Sequence, residues 1–255
     1  MSLATEILFF FGGILAGVIN TLAGNGSALT VSLLLFGGMD GATANASNRI
    51  GVIAQTVTGI FSIKKTSRRN YLFLKGKNLI LPTFLGSLSG GILGSQISPN
   101  VMEWSLAIVM TAMLFTLFWG EKRWTGSSES IRGLSPFKSA LYFFMIGFYG
   151  GYVQMGIGVL MLSVLVLADK WSLRDANVIK LLMAAILAIP AGVIYIFNDL
   201  VIWRPSLILA FGSILGAWFG ARYIIRIPEA QRYVRWLLIF VVSAGALQAI
   251  YKAIL

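Results

Sequence analysis

Two long apolar segments of this chain are each interrupted by a Gly-x-Gly motif, and the pattern around the motif occurs twice. Each copy has a Gly-xxx-Gly pair, the Gly-x-Gly motif, a short apolar run and an Ala-Asn dipeptide. In the first copy these features lie at Gly13, Gly17, Gly24, Gly26, Ala44 and Asn45, and in the second at Gly147, Gly151, Gly156, Gly158, Ala176 and Asn177. The repeat predicts two structurally equivalent halves, each with a break inside an apolar segment.

Apolar residues dominate the whole sequence. Of the 255 residues, 57% are hydrophobic and 11% are charged, and the mean hydropathy is +0.83. Stretches long enough to cross a hydrocarbon layer of about 30 Å recur along the chain, which excludes an ordinary soluble domain. The predicted spans are 7–24, 43–63, 78–97, 104–119, 137–155, 176–197, 205–221 and 234–251.

The net charge of +11 is carried mainly by the loops between these predicted spans. Four basic loops, at 64–77, 120–138, 169–175 and 222–235, are assigned to the cytoplasm by the positive-inside rule. Basic residues in such loops report membrane orientation and contact anionic lipid. We therefore expect the lipid bilayer as a partner, and no nucleic acid.

This orientation leaves both Gly-x-Gly segments beginning and ending on one side of the membrane. Each has roughly 20 residues before its break and about 10–12 after it, so the return arm reaches about half of the bilayer. The sequence predicts an all-α polytopic membrane protein of two inverted repeats, each a broken or re-entrant hairpin plus three transmembrane helices. The repeats are predicted at 1–119 and 137–255, with a cytoplasmic linker at 120–136. Alternatively, the return arms are short full spans, which raises the number of membrane segments from about eight to about ten.

Glycines recur every four residues in the third predicted span of each half. They are Gly86, Gly90 and Gly94 in the first half, and Gly212, Gly216 and Gly220 in the second. A helix face without side chains lets another helix approach closely. We predict that these faces pack within the fold or in a homodimer.

The two predicted breaks differ in how the following helix can be capped. Asn25 or Ser27 offers a side-chain cap for a helix that starts near Ala28, whereas apolar residues follow Gly156 and Gly158. Unpaired amide N–H groups at a helix start inside lipid must face protein, water or a ligand. Together with the positive end of the helix dipole, they suit an anion. The alternative is that the glycines serve only a tight turn or close packing.

Two basic residues, Arg49 and Lys180, lie inside predicted spans at nearly equivalent positions of the two repeats. At a helix centre each costs about 2.5–3.5 kcal/mol on insertion scales, so each needs a partner. The nine acidic residues all lie at termini or in predicted loops. The lack of a buried countercharge favours an anionic ligand between the two cations. The alternative is that both side chains extend outward to the membrane interface.

Amide side chains accompany the cations and the breaks. They suit the oxygens of an oxyanion, and they equally suit the backbone groups of a broken helix. The predicted substrate-binding residues are Asn20, Gly24, Asn25, Gly26, Ser27, Asn45, Asn48, Arg49, Gln154, Gly156, Gly158, Asn177 and Lys180. Because the chain has no histidine and no cysteine, we predict no metal and no cofactor. Without those residues or paired carboxylates in a span, we also predict no enzyme activity.

The Gly-rich hairpin and the Ala-Asn motif that opens the next helix, both repeated, resemble the sulfite exporter TauE/SafE family, also described as the TSUP transporters. The resemblance covers about residues 7–251. It implies a multi-pass permease of a prokaryotic inner membrane for small anions such as sulfite, sulfoacetate or sulfonates. It assigns the substrate site to the two Gly-x-Gly motifs, to Asn45 and Asn48, and to Asn177 and Lys180.

The expected function is secondary transport of a small anion by alternating access, with the anion held between the two breaks. A passive anion channel and a permease for small carboxylates are the alternatives. The predicted spans contain no carboxylate at mid-membrane and no histidine. A side-chain proton relay of the usual kind is therefore not expected.

Overall fold

A computed structural model describes residues 2–62, 66–119, 134–222 and 230–254. Within these ranges the chain forms ten α-helices and one π-helical segment, without a β-strand, which confirms the predicted all-α fold. The first half contains α1 (Leu3–Ala23), α2 (Gly26–Phe36), α3 (Gly41–Ser62), α4 (Ser67–Gln96) and α5 (Pro99–Trp119). The second half contains α6 (Pro136–Tyr152), α7 (Ile157–Leu162), the π-helical segment Ser163–Ala168, α8 (Leu173–Phe197), α9 (Trp203–Arg222) and α10 (Ala230–Ile254).

Each half begins with a broken hairpin at the position that its glycine motif predicts. In the first, α1 of 21 residues is followed by α2 of 11 residues. In the second, α6 of 17 residues is followed by α7 and the π-helical segment, of 6 residues each. Gly24 and Gly156 have φ angles of 74° and 72°, a left-handed conformation that glycine adopts without strain. At about 1.5 Å per residue, the second arms reach about half as far as a full span.

The hairpin of each half packs on the other half. Helix α1 lies along α9, and α6 lies along α4. Helix α3 contacts α9, and α8 contacts α4. Two further pairs, α3 with α8 and α5 with α10, join corresponding helices of the two halves. If α1, α3, α4 and α5 correspond to α6, α8, α9 and α10, each helix pair of this set has its equivalent in the same set. This pattern agrees with two equivalent halves. Their opposite orientation in a membrane stays a prediction.

Glycine faces allow close approach of the backbones in both of the long contacts between halves. A Cβ added at Gly90 of α4 would overlap the carbonyl oxygen of Phe148 on α6. A Cβ added at Gly216 of α9 would overlap the carbonyl oxygen of Ile14 on α1. The glycine faces therefore pack within the fold, and the homodimer stays a prediction.

Large apolar side chains are exposed on the outside of the helix bundle. Phe11 of α1, Ile108 of α5, Phe211 of α9 and Phe240 of α10 are 59%, 66%, 65% and 73% exposed. Apolar surface of this extent marks contact with lipid or with another apolar partner.

Three helical stretches among the described residues are long and apolar enough to cross a membrane: Leu3–Thr21, Asp175–Phe197 and Arg235–Ile254. Shorter apolar stretches occur at Gly26–Phe36, Pro99–Phe115 and Ile157–Ala168. The remaining long helices α3, α4 and α9 are less apolar, because they contain asparagine, glycine, serine and basic residues. In α4 and α9 the glycines face neighbouring helices rather than lipid.

Helix α4 is longer at its basic end than the sequence pattern predicts. The sequence predicts a loop at 64–77, whereas α4 begins at Ser67. The prediction is wrong from residue 67 onward, because a helix can continue beyond the hydrocarbon layer, where basic side chains are favourable. Lys75 illustrates this: its Nζ lies 4.4 Å from the centroid of the Trp171 ring.

Two other predicted connections lie partly outside the described residues. Of the linker predicted at 120–136, residues 120–133 are outside the described ranges, and α6 begins at Pro136. Of the loop predicted at 222–235, residues 223–229 are outside them, and α10 begins at Ala230.

Candidate functional site

The two helix breaks contact each other. A Cβ added at Gly158 would lie 2.7 Å from the carbonyl oxygen of Gly24 and 2.8 Å from its Cα. Only glycine lets two backbones approach this closely. The Nζ of Lys180 lies beside the same contact, 3.7 Å from the position that a Cβ on Gly24 would occupy. Three residues predicted for the substrate site, contributed by both halves, therefore meet at one point.

Lys180 is a buried cation for which the described residues provide no countercharge. It lies on α8 and is 7% exposed. The ion pairs among the described residues, Arg68 with Asp175 and Arg204 with Glu6, do not include it. A buried, unpaired ammonium group is costly, so negative charge is favoured at the contact between the breaks.

Helix α2 begins directly after the first break, without a side-chain cap. Asn25 is the N-cap residue but makes no cap hydrogen bond, and Ser27 lies within the first turn. The predicted cap is wrong because Asn25, with φ −116° and ψ 19°, lacks the extended backbone that directs a capping side chain. The N–H groups of Gly26 and Ser27 have no acceptor among the described residues. The Oδ1 of Asn25 is buried and also has no hydrogen-bond partner there.

The second break runs from Val153 to Gly156. Tyr149 donates a 2.7 Å hydrogen bond from its Oη to the carbonyl oxygen of Met155, which ties the break to the last turns of α6. Gln154 is buried, and its Oε1 has no hydrogen-bond partner among the described residues. Both breaks therefore contain a buried amide side chain with an unpaired oxygen.

Arg49 contacts the end of α6, the first arm of the second hairpin. It is fully buried, and its Nη1 donates a hydrogen bond to the carbonyl oxygen of Gly150 at 3.0 Å. Its Nη2 donates to the carbonyl oxygens of Gly151 and Tyr152 at 2.6 and 3.3 Å. The last carbonyls of a helix lack intrahelical donors and carry the negative end of its dipole. Arg49 therefore has protein partners, and only its Nε is unpaired among the described residues. Substrate contact by Arg49 stays a prediction.

Asn45 and Tyr195 also bind the last carbonyl of α6, beside Arg49. The Nδ2 of Asn45 donates to the carbonyl oxygen of Tyr152 at 2.8 Å and to the Oη of Tyr195 at 3.2 Å. The Oη of Tyr195 donates to the same Tyr152 carbonyl at 3.1 Å, and the Arg49 guanidinium lies 4.4 Å from the centroid of the Tyr195 ring. Asn45 therefore serves the backbone of the broken helix, which is one of the two roles that the sequence leaves open.

Asn48 lines a narrow crevice between α3 and the helices α1, α2 and α9. Its Oδ1 accepts a hydrogen bond from Thr30, whereas its Nδ2 is buried without a partner among the described residues. Gln55, two turns later on α3, lines the same crevice, and its Oε1 is equally unpaired. Ser213 of α9 is the fourth polar side chain of the lining, which contains no charged residue.

The remaining predicted residues lie near one or other of these groups. The Cβ of Asn20 is 2.9 Å from the position that a Cβ on Gly26 would occupy, so Asn20 belongs to the first break. Asn177 is half-buried on α8, about one turn before Lys180.

Sequence reasoning misses several residues of these groups, among them Thr30, Gln55 and Tyr195. Gln55 follows Asn48 by seven residues, which places both on one face of α3, so a polar residue at that spacing in a predicted span was a usable signal. Thr30 and Tyr195 give no such signal, because neither residue type is unusual in a membrane helix.

A family model described as "Sulfite exporter TauE/SafE" matches residues 9–249. The chain belongs to the TauE/SafE family. The match includes both helix breaks, Arg49 and Lys180, and it confirms the resemblance drawn from the glycine and Ala-Asn motifs. Membership of the TauE/SafE family makes the protein a transmembrane transporter.

Curated relatives of this TauE/SafE chain are named as probable membrane transporters. "Probable membrane transporter protein YfcA" from Escherichia coli (strain K12) is 27% identical over 249 residues, covering 96% of this chain and 90% of the relative. "Probable membrane transporter protein ORF9" from Sinorhizobium sp is 27% identical over 243 residues, covering 94% and 90%. "Probable membrane transporter protein" from Haemophilus influenzae is 26% identical over 227 residues, covering 85% and 84%. No solved structure matches the chain significantly.

Proposed function

We propose that this protein is a secondary transporter of small anions, namely sulfur-containing oxyanions or organosulfonates, in the inner membrane of a prokaryotic cell. The observation that carries the proposal is the buried ammonium group of Lys180 beside the contact between Gly24 and Gly158. The anion binds at this contact and is exposed to the two sides of the membrane in turn.

An anion at this point supplies a countercharge and hydrogen-bond acceptors, which the described protein groups do not provide. The ammonium group of Lys180 has no acidic partner among them, and the N–H groups of Gly26 and Ser27 have no acceptor. Hydrogen bonds in which one partner is ionised are shorter than neutral ones and roughly twice as strong. An oxyanion has several oxygens, so it accepts from the ammonium group and from backbone N–H groups at the same time.

The contact between the two breaks favours a carrier over a channel. At Gly24 and Gly158 the two backbones touch, so no continuous aqueous path passes between the breaks at that point. A carrier requires such a closure, because it exposes its site to only one side at a time. A channel that conducts continuously does not require it.

The test compares the wild-type protein with Lys180→Met and Lys180→Arg in proteoliposomes, using sulfite, sulfoacetate and acetate as substrates. The wild type should show saturable uptake and counterflow. Lys180→Met should lower the initial rate about 10- to 100-fold, because a charge-assisted hydrogen bond is lost. Lys180→Arg keeps the positive charge and should retain part of the rate. Lys77→Met, an exposed position at the basic end of α4, is the matched control and should transport like the wild type.

The outcomes separate the alternatives. Wild-type rates in Lys180→Met would remove Lys180 from the site. Unsaturated electrical conductance without counterflow would identify a passive anion channel. A preference for acetate over both sulfur anions would identify a permease for small carboxylates.

A further inference from the structure

The crevice beside Asn48 contains two buried hydrogen-bonding groups that have no partner among the described residues. Asn48 is 3% exposed and Gln55 is 5% exposed. The Nδ2 of Asn48 is an unpaired donor, and the Oε1 of Gln55 is an unpaired acceptor. Buried polar groups in proteins are nearly always paired, because an unpaired one loses its hydration without compensation. Two such groups in one crevice are available to pair with a ligand.

Three of the four polar residues that line this crevice belong to the first half. Alignment of the two repeats by their Gly-x-Gly and Ala-Asn motifs pairs Thr30 with Leu162, Asn48 with Lys180 and Gln55 with Leu187. The second half therefore has one cation and two apolar residues where the first half has three neutral polar residues. Equivalent positions of the two halves offer different chemistry, charged in one and neutral in the other.

The crevice and the cation lie on either side of the first turn of α2. Gly26 lines the crevice, and Gly24, two residues earlier, lies beside the Nζ of Lys180. Thr30, one turn after Gly26, also lines the crevice. Its Oγ1 donates a hydrogen bond to the carbonyl oxygen of Ser27 at 3.1 Å. A small molecule that contacts both the ammonium group and the crevice would lie along the start of α2.

We propose that the crevice is a second subsite of the proposed transport site, and that it binds the neutral, hydrogen-bonding end of an organic anion whose charged end lies at Lys180. This inference rests on the proposed function. The crevice lining is uncharged, so a second anionic group would be buried there without a partner. The ligand is therefore a monoanion.

The donor and acceptor character of the two unpaired groups specifies the neutral end further. Asn48 and Gln55 are separated by two turns of α3, about 10 Å along the helix axis. A ligand that pairs both groups offers an acceptor to Asn48 and a donor to Gln55, which hydroxyl groups provide. The crevice is closed in this structure, so these bonds form in a conformation in which α3 lies farther from α2 and α9. The ligand class is a small hydroxylated monoanion.

The test measures dissociation constants of the purified full-length protein for three probes by isothermal titration calorimetry. Propane-1-sulfonate carries the charged end alone, 2,3-dihydroxypropane-1-sulfonate adds the neutral polar end, and 3-sulfopropanoate adds a second charge. The dihydroxylated probe should bind about 5- to 20-fold more tightly than propane-1-sulfonate, as expected for one or two neutral hydrogen bonds. The dianionic probe should bind more weakly than propane-1-sulfonate.

Two variants make the assignment specific to the crevice. Gln55→Leu removes the unpaired acceptor at similar volume, and it should lower the affinity ratio between the dihydroxylated and unsubstituted sulfonates to about 3 or less. Gln248→Leu makes the same chemical change on α10, outside the crevice, and should keep the wild-type ratio. If Gln55→Leu does not fold, Asn48→Leu, which removes the unpaired donor, provides the corresponding comparison.

Each outcome has a defined meaning. Equal affinity of the wild type for the two monoanions would overturn the second subsite and leave the proposed function intact. An unchanged ratio in Gln55→Leu or, where that variant does not fold, in Asn48→Leu would also overturn it. Failure of all three probes to bind, together with wild-type transport by Lys180→Met, would overturn both proposals.

Discussion

The Nη2 of Arg49 donates a 2.6 Å hydrogen bond to the carbonyl oxygen of Gly151, at the end of α6. This bond joins α3 of the first half to the hairpin of the second half. The charge of a buried arginine is thus balanced by the negative end of a helix dipole rather than by an acid. Lys180, the other buried cation, has no such partner among the described residues. The two cations are therefore expected to respond differently to substitution.

Replacement of Arg49 should destabilise the fold. Arg49→Met leaves the last carbonyls of α6 without their donors, at a cost of roughly 3 kcal/mol for charge-assisted hydrogen bonds. For a protein of this size, that should lower the midpoint of thermal unfolding by about 6–12 °C. Arg49→Lys keeps the charge but not the planar fork, so it should fall between Arg49→Met and the wild type. Thermal unfolding in detergent measures the shift.

The contrasting variant is Lys180→Met, which removes an uncompensated buried charge. Its unfolding midpoint should equal or exceed that of the wild type when no anion is added. A fall as large as that of Arg49→Met would mean that Lys180 has a structural partner. A wild-type midpoint in Arg49→Met, with loss of anion binding, would instead assign Arg49 to the substrate.

Separation of the two breaks should impair transport. In Gly158→Ala, the new Cβ would lie 2.7 Å from the carbonyl oxygen of Gly24. Backbone atoms cannot move aside as a side chain can, so overpacking should cost about 1–3 kcal/mol. The displaced break should also lower the transport rate, measured in proteoliposomes.

The matched control for this change is Gly59→Ala on α3. There the nearest atom to a new Cβ is a methyl group of Leu181 at 3.3 Å, which belongs to a flexible side chain. Alanine also favours a helix over glycine, so this variant should be as stable as the wild type or more so. Equal rates for Gly158→Ala and Gly59→Ala would contradict a functional contact between the breaks.

The contacts between α1 and α9 and between α4 and α6 should be equally sensitive to added volume. Gly90→Ala and Gly216→Ala each place a methyl group onto a carbonyl oxygen of the opposite helix. Each should destabilise the protein by about 1–3 kcal/mol, and the double variant by about the sum, because the two glycines lie in different helix contacts and share no neighbour. Thermal unfolding measures all three. A change in oligomeric state without loss of stability would instead place these glycines in a homodimer.

The membrane orientation can be tested with single cysteines, because the chain has none. Asn70→Cys and Ser130→Cys should be inaccessible to a membrane-impermeant maleimide added from outside, since the positive-inside rule assigns both positions to the cytoplasm. Asn198→Cys, directly after α8, should be labelled. Labelling of position 70 but not position 130 would place the two on opposite sides and contradict the inverted halves.

The positions of the two breaks were predictable from sequence, because a left-handed turn inside an apolar segment requires glycine. Gly24 and Gly156 therefore mark these turns without any knowledge of packing. The start of α4 was not predictable, because basic residues can occupy either a loop or a helix end outside the hydrocarbon layer. The prediction of a loop over residues 67–77 was wrong for that reason, whereas their assignment to the cytoplasm stays a prediction.

The partners of Arg49 were not predictable for a different reason. Every residue carries a carbonyl group, so nothing in the sequence identifies the three that Arg49 contacts at the end of α6. A search restricted to acidic side chains finds no partner for this charge. The meeting of Gly24 with Gly158 and Lys180 agrees with the expectation of a site between the breaks. The role of this contact in substrate binding stays a prediction.

The packing of α1 on α9 and of α6 on α4 has a consequence for biosynthesis. During insertion, α1 reaches the bilayer before α9 has been translated, so the glycine face of α1 contacts lipid until the last part of the chain arrives. Neither half completes its own helix contacts. A chain cut between α5 and α6 would yield two fragments that remain associated through these interleaved helices. The link between the halves thus ensures that both are inserted together, whereas the helix contacts hold them together afterwards.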